Sequence, residues 1–331
     1  MNSELLKKTG NIDQLAGIRE GVLLRGRGEG MKTAEFYNAA GLRFTVLPDR
    51  CMDIYDLSFR GMNLSFHAKN GPVSPVSSGK ITEDFEDTWP GGMLVTCGLE
   101  NINGGYADHG VNCMTHGRIS SVQAAQFLTR TCWNGDDFLL EAEGEMNESR
   151  MGTGTLRLRR KIVTSLYARS VTITDTVTNL TEKEMPYALL YHVNFGFPLL
   201  DPGVTTGARG VPEPLDDVST DWENVNGPGS GNDVQKFLRQ YREGEGLAFV
   251  QNRERGLSAY LSYDTSALPY LMEWKHLKPQ DYVLAYEPTN LPAINKKEAL
   301  SRGICPMLPA YGSVSTHLEI GVIEGTGIPH I

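Results

Sequence analysis

The stretch Ser170-Val-Thr-Ile-Thr-Asp-Thr-Val-Thr-Asn179 decides the fold class. Val171, Ile173 and Val177 fall on one side of an extended chain, and four threonines fall on the other. β-branched residues at period two predict a strand with one buried face, because successive side chains of a pleated chain point to opposite faces. Working outward, Gly41-Leu-Arg-Phe-Thr-Val-Leu47 and Leu156-Arg-Leu-Arg159 alternate in the same way. Leu247–Gln251, Leu257–Tyr263, Tyr282–Glu287 and Ser315–Ile323 add further strand patterns. Helical patterns are few. A short helix is expected within residues 3–20 and another over Asn295–Gly303, with Gly303 as its stop. Residues 210–231 are rich in Pro, Gly, Asp and Asn, which predicts a long surface insertion at the rim of a site. There is no βαβ alternation and no short-period repeat. An all-β fold follows: one large antiparallel β-sandwich with few short helices. Residues 1–30 are expected as an N-terminal extension packing on a single domain over 31–331.

A chain of 331 residues has room for such a domain. The net charge of −9 argues against nucleic acid, since a polyanion binder needs a basic face to release counterions. The opening MNSELLKKTGNID has no apolar core of signal-peptide length. No apolar run approaches the roughly 20 residues that span a bilayer. A cytoplasmic protein with no membrane association is expected. The five cysteines, Cys51, Cys97, Cys113, Cys132 and Cys305, are scattered without a CxxC and predict buried free thiols. Oligomeric state is not readable in the residues, and a homodimer is compatible with them.

Four short stretches hold the polar residues of interest: Leu47-Pro-Asp-Arg-Cys-Met-Asp53, Thr115-His-Gly-Arg-Ile119, Tyr191-His-Val-Asn-Phe-Gly196 and Tyr286-Glu-Pro-Thr-Asn290. Each is expected at a strand end or turn, where sandwiches place their sites. Tyr187–Asp201 opens like a buried strand and is read as setting His192 and Asn194 one step apart on alternate sides. His192 is either an ordinary strand-end histidine or a group delivered to a pocket. Glu287 ends an apolar strand and needs partners or a wet pocket, because an unpaired buried carboxylate is costly. Arg50, with Asp49 and Asp53, is open to a purely structural ion pair. Trp274 suits either the core or the apolar face of a sugar ring.

Several of these stretches resemble the aldose 1-epimerases, or galactose mutarotases, and their hexose-6-phosphate relatives. Thr174-Asp-Thr-Val-Thr-Asn-Leu-Thr-Glu-Lys-Glu-Met-Pro-Tyr-Ala-Leu-Leu-Tyr-His192 is similar to that superfamily's strand, turn, proline and strand leading to its catalytic histidine. Trp89-Pro-Gly-Gly-Met-Leu94, followed by His116-Gly-Arg118, resembles its Gly-Gly segment and its His-Gly substrate motif. Leu284-Ala-Tyr-Glu287-Pro288 resembles the strand that ends in its catalytic glutamate. The resemblance spans roughly residues 35 to 325 in the expected order and points to an uncharacterised branch.

The resemblance implies interconversion of the α and β anomers of a free sugar or sugar derivative, with a small-molecule carbohydrate as partner and no cofactor or metal. Glu287 would be the base that takes the anomeric hydroxyl proton, and His192 the acid that protonates the ring oxygen. His116 would bind substrate. The arginine-bearing Gly-Arg-x-x-Asn-Arg stretch of better-known mutarotases is not found here, and either Arg50 or Arg118 stands as its replacement. Asp53, Asn194, Trp274 and Lys275 are further substrate-binding candidates, with Asp281 behind them. A cupin-like metal cluster of His109, His116, His192 and Glu287 lacks the His-x-His pair such sites draw on. A non-catalytic carbohydrate-binding protein on the same fold, or another isomerase or lyase reaction in the same pocket, is the alternative reading.

Overall fold

A computed structural model describes all residues except 1–4, 6, 76–84, 109, 232, 326 and 328–331. Two large antiparallel sheets share one apolar core. The eleven-stranded sheet runs in the order Gly17–Val22, Lys32–Tyr37, Leu42–Leu47, Asp53–Phe59, Leu94–Leu99, Ala188–Gly196, Asp281–Thr289, Tyr270–Lys278, Val234–Gln240 and Glu213–Pro214, with Met62–Asn63 paired beside Asp53–Phe59. The eight-stranded sheet runs Thr205–Ala208, Glu245–Asn252, Leu257–Asp264, Ser313–Glu324, Ser170–Asn179, Thr155–Ser165, Asp137–Ser149 and Ala125–Asn134. Phe44, Leu94, Tyr191 and Val193 of the first sheet meet Leu158, Ile173, Leu261 and Ile320 of the second in that core. The all-β sandwich expected from period-two patterns is what the chain forms, and each strand pattern named above lies in an observed strand.

Ser170–Asn179 sits inside the smaller sheet, with Ile173 opposite both Ile162 and Leu318. Its threonines face outward, where Thr176 meets Ser315 across the strands at 3.0 Å. Period two also turns Asp175 inward. That carboxylate is fully buried and is held by Arg160, whose Nε donates to Oδ1 at 2.9 Å and Nη2 to Oδ2 at 2.6 Å. Arg160 also reaches Asp53 Oδ1 at 3.0 Å, and the Tyr191 hydroxyl donates to Asp175 Oδ2 at 2.6 Å. These groups tie the two sheets together directly under the strand that carries His192.

The helix over Lys296–Ser301 forms as expected. The Asn295 side chain caps it by accepting from Glu298 N at 2.9 Å, and Gly303 ends it at φ +68°. Of the short helix expected within 3–20, Leu5 is helical and residues 3, 4 and 6 lie outside the described residues. The remainder is not helical beyond one 3-10 turn, Ile12–Gln14, and runs into the edge strand Gly17–Val22, which pairs Ile18 with Phe36. Gly17 and Gly21 each disfavour a helix by about 1 kcal/mol, and pairing with Lys32–Tyr37 satisfies the backbone instead. The thiols are free, but Cys305 is only half-buried and Cys132 is exposed rather than buried, because Ala125–Asn134 is an edge strand with little cover. Among the described residues no helix is long and apolar enough to cross a membrane.

Candidate active site

Four neighbouring strands of the larger sheet present their outer face to a cavity of about 650 Å³. Every residue of Ala188–Gly196 is buried, so this strand is covered on both faces. Tyr191, Val193 and Phe195 turn into the core, and His192 turns to the cavity. Glu287 comes from the next strand, where Val193 pairs with Tyr286, and Met272 lies opposite Glu287 on the strand beyond. His192 Nε2 lies 3.3 Å from Glu287 Oε1.

Asn194 shares a face with His192 rather than taking the alternate side. Two residues apart on a strand means the same face. Its amide Nδ2 donates to the backbone carbonyls of Gly92 at 2.8 Å and His192 at 3.0 Å. That orientation leaves Oδ1 as an acceptor, and Oδ1 bonds His192 Nδ1. Nδ1 must therefore carry a hydrogen, and Nε2 is the nitrogen that takes or gives a proton toward Glu287.

His116 reaches the cavity from a turn held by main-chain bonds. Its N–H donates to Asn103 O at 2.9 Å, and its carbonyl accepts from Gly98 N at 2.9 Å. Its φ is +58°, in the left-handed region, where those main-chain bonds hold it. The close approach of the turn to Gly98 needs a glycine next, because a Cβ on Gly117, at φ +70°, would sit 2.3 Å from Gly98 O. The His-Gly pair is thus a backbone device that sets one ring over another. The His116 and His192 ring centres are 5.8 Å apart, edge to face. Among the described residues His116 Nδ1 has no hydrogen-bond partner.

The walls are aromatic. Trp89 lies 5.3 Å from His192, Trp274 lies 5.6 Å from it, and Phe85 packs on His116 at 4.8 Å. This dry lining controls protonation. Burial lowers His192 to about 3, with a further push from His116 and a small opposing effect of the Asn194 bond. Burial alone lowers His116 to about 4. Burial raises Glu287 to about 8, against a weaker downward pull from Lys236. At neutral pH the His192–Glu287 pair therefore holds one proton, resting on the carboxyl. Such a pair can give a proton to one oxygen while taking one from another.

Four sequence candidates, His192, Glu287, His116 and Trp274, converge here. Six do not line the cavity: Asn194 lies behind His192, with its side chain spent on His192 and Gly92, and five others point elsewhere. Arg50 is buried and donates to Val73 O at 2.9 Å. Arg118 pairs with Glu100 at 3.0 Å and lines a different cavity with Glu148. Asp53 is a counter-ion of Arg160 between the sheets. Asp281 pairs with Lys69 at 2.7 Å. Lys275 follows Trp274, so period two sends it to the opposite face, where its Nζ donates to Asp221 O at 2.8 Å and Asn224 O at 3.0 Å. The same alternation would have found His276, which the sequence reading missed: if Trp274 faces a pocket, Met272 and His276 do too. Lys236, opposite Trp274 on the next strand, and Leu215 and Asp216 of the 210–231 insertion complete the rim. Asn103 and Thr115, beside His116, were also missed. The described residues hold no cluster of His, Cys, Asp and Glu suited to a metal ion, and His109 lies outside them.

This two-sheet architecture is that of the galactose mutarotase-like proteins. A Klebsiella pneumoniae protein provisionally named aldose 1-epimerase superposes with a TM-score of 0.86 at 22% identity, covering 98% of this chain and 87% of that one. A galactose mutarotase-like protein from Clostridium acetobutylicum gives 0.61 at 15% identity over 94% and 99% of the two chains. Galactose 1-epimerase from Lactobacillus acidophilus gives 0.60 at 12%, also over 94% and 99%. At these identities the likeness establishes the fold. The chain belongs to the family described as Domain of unknown function (DUF4432), whose family model matches residues 28–322. No curated protein matches the sequence.

Proposed function

We propose that the protein is a cofactor-independent aldose 1-epimerase, acting on the anomeric centre of a free sugar or sugar derivative. One observation carries this reading: His192 Nε2 and Glu287 Oε1 lie 3.3 Å apart on an aromatic-walled floor, where burial lowers the imidazole and raises the carboxyl so that the pair would hold one proton between them. Mutarotation needs nothing more. The two oxygens on the anomeric carbon lie side by side, and the pair meets both. Glu287 gives its proton to the ring oxygen as His192 Nε2 takes the proton of the anomeric hydroxyl. The bond between the anomeric carbon and the ring oxygen breaks, and an aldehyde forms. After rotation, the freed hydroxyl attacks the other face, the imidazolium returns its proton to the anomeric oxygen, and the carboxylate recovers its own.

The assignment implied by resemblance, Glu287 as base and His192 as acid, is the same pair with its proton on the imidazole. Burial favours the uncharged arrangement, and each turnover passes through both. His116, neutral and set over His192, is placed to hydrogen-bond the substrate oxygens. Trp89 and Trp274 offer apolar faces to the sugar's C–H surfaces.

Saturation-transfer NMR over a panel of free aldoses, ketoses and their phosphates tests the reading. Enzyme-dependent exchange between anomers, reduced about 10²-fold or more in Glu287→Gln and in His192→Asn, is the expected result. Full exchange in the double variant refutes the proton pair. Sugar binding with no exchange on any member would establish a carbohydrate-binding protein instead.

A further inference from the structure

The cavity floor is longer than one sugar ring requires. The proton pair occupies the Ala188–Gly196 and Asp281–Thr289 strands, and the floor continues across Tyr270–Lys278 and Val234–Gln240 to Leu215, beyond Glu213–Pro214. With strands about 4.8 Å apart, Leu215 lies roughly 14 Å of floor away from Glu287. A pyranose over His192 and Glu287 covers about one strand spacing. The rest is paved by Trp274 and His276, whose rings are 5.1 Å apart, with Lys236 beside Trp274. Leu215 and Asp216 stand at its far end.

The chemistry of this extension is that of a neutral saccharide. Its rings supply platforms, and its polar groups are mixed in sign: Lys236 and Asp216 both line it. Burial, with Lys278 and Lys69, lowers the pKa of His276 against the opposing pull of Asp281 and Asp233. A phosphate or carboxylate subsite would instead gather cations, and the arginines near the sheet, Arg50 and Arg118, point elsewhere.

We infer that the cavity holds a second sugar subsite, formed by Trp274, His276, Lys236 and Asp216, and that the preferred ligand is the reducing end of a neutral disaccharide or longer saccharide. The reducing unit lies over His192 and Glu287, and the next unit lies on Trp274 and His276. This inference rests on the mutarotase reading for the reaction but not for the binding.

Calorimetric titration of the Glu287→Gln protein separates the two. Glucose, galactose, maltose, lactose, cellobiose and glucose 6-phosphate are the probes. At least one disaccharide is expected to bind about tenfold more tightly than either monosaccharide, the yield of an added aromatic platform. His276→Ala and Lys236→Ala, each made in the Glu287→Gln protein, should bring that ratio toward one. Equal affinities, tightest binding of glucose 6-phosphate, or no binding of any probe to either the Glu287→Gln or the unsubstituted protein overturns the subsite. Disaccharide preference without anomer exchange in the unsubstituted protein supports the subsite and refutes mutarotation.

Discussion

The Nδ1 of His192 is bonded to Oδ1 of Asn194, and this bond decides which way protons move in the cavity. Because the Asn194 amide is pinned by two backbone carbonyls, Nδ1 is held as a donor and Nε2 alone faces Glu287. A strand geometry two residues long thus sets the tautomer of the central imidazole.

Asn194→Asp places a carboxylate on Nδ1 and favours the imidazolium. The acid limb of the rate profile should move up by about 1–3 pH units, while the cavity keeps its shape. A profile identical to that of the unsubstituted protein would show that Asn194 does not position His192.

The pH dependence of activity follows from the proton count of the pair. Below about 8 the pair holds the proton it needs, and above that Glu287 loses it. On the acid side, a second proton enters only as His192 titrates near 3 and His116 near 4. Anomer exchange should be flat from about pH 5 to 7 and fall above 8. Half-loss at pH 6.5, where an ordinary histidine titrates, would contradict the burial argument.

Stability carries the signature of Glu287 as well. Its folded pKa lies above the usual 4.5, so its contribution to stability is complete below 4.5 and is lost as pH rises through about 8. Glu287→Gln removes that loss. Thermal melts should show the variant gaining on the unsubstituted protein from pH 5 to pH 9. A constant difference in Tm across that range would place Glu287 in water.

Gly117→Ala tests the turn that carries His116. Its Cβ would lie 2.3 Å from Gly98 O at a φ of +70°. A loss of about 2 kcal/mol or more is expected in urea unfolding, with the slope unchanged. Exchange should fall as the His116 ring shifts. Unaltered stability would mean that the turn has room to spare.

Arg160→Met leaves Asp53 and Asp175 buried without their cation. A loss of about 3–5 kcal/mol is expected, read from the midpoint of denaturant unfolding. Replacing all three by apolar residues should recover much of it. A mild effect of the single change would show that water reaches the pair.

Much was legible in local pattern. Ser170–Asn179 declared its faces by alternation, and Asn295 with Glu298 and Gly303 marked both ends of a helix. His116, His192 and Glu287 were found through the stretches that flank them, and they share one cavity. Other signals are present in the same local pattern. Gly135-Asp136 is a two-residue turn pair between two long strands, Ala125–Asn134 and Asp137–Ser149. His276 was implied by Trp274, and Lys275 was excluded by it.

What local pattern settles is which side of a strand a residue takes, because period two is a property of the pleated backbone. It cannot settle which strand lies beside which. His192 and Glu287 are 95 positions apart and meet only because their strands are neighbours in the larger sheet. Arg50 and Asp53 read from sequence as pocket residues for the same reason that they are not: a charged side chain near a strand end is equally suited to a cavity and to a buried ion pair. Only the packing of the second sheet, which brings Arg160 against Asp53, assigns the latter to the core. The shifted protonation of the site is likewise a property of assembled walls, since desolvation by Phe85, Trp89 and Trp274 exists only once distant segments have closed over the sheet.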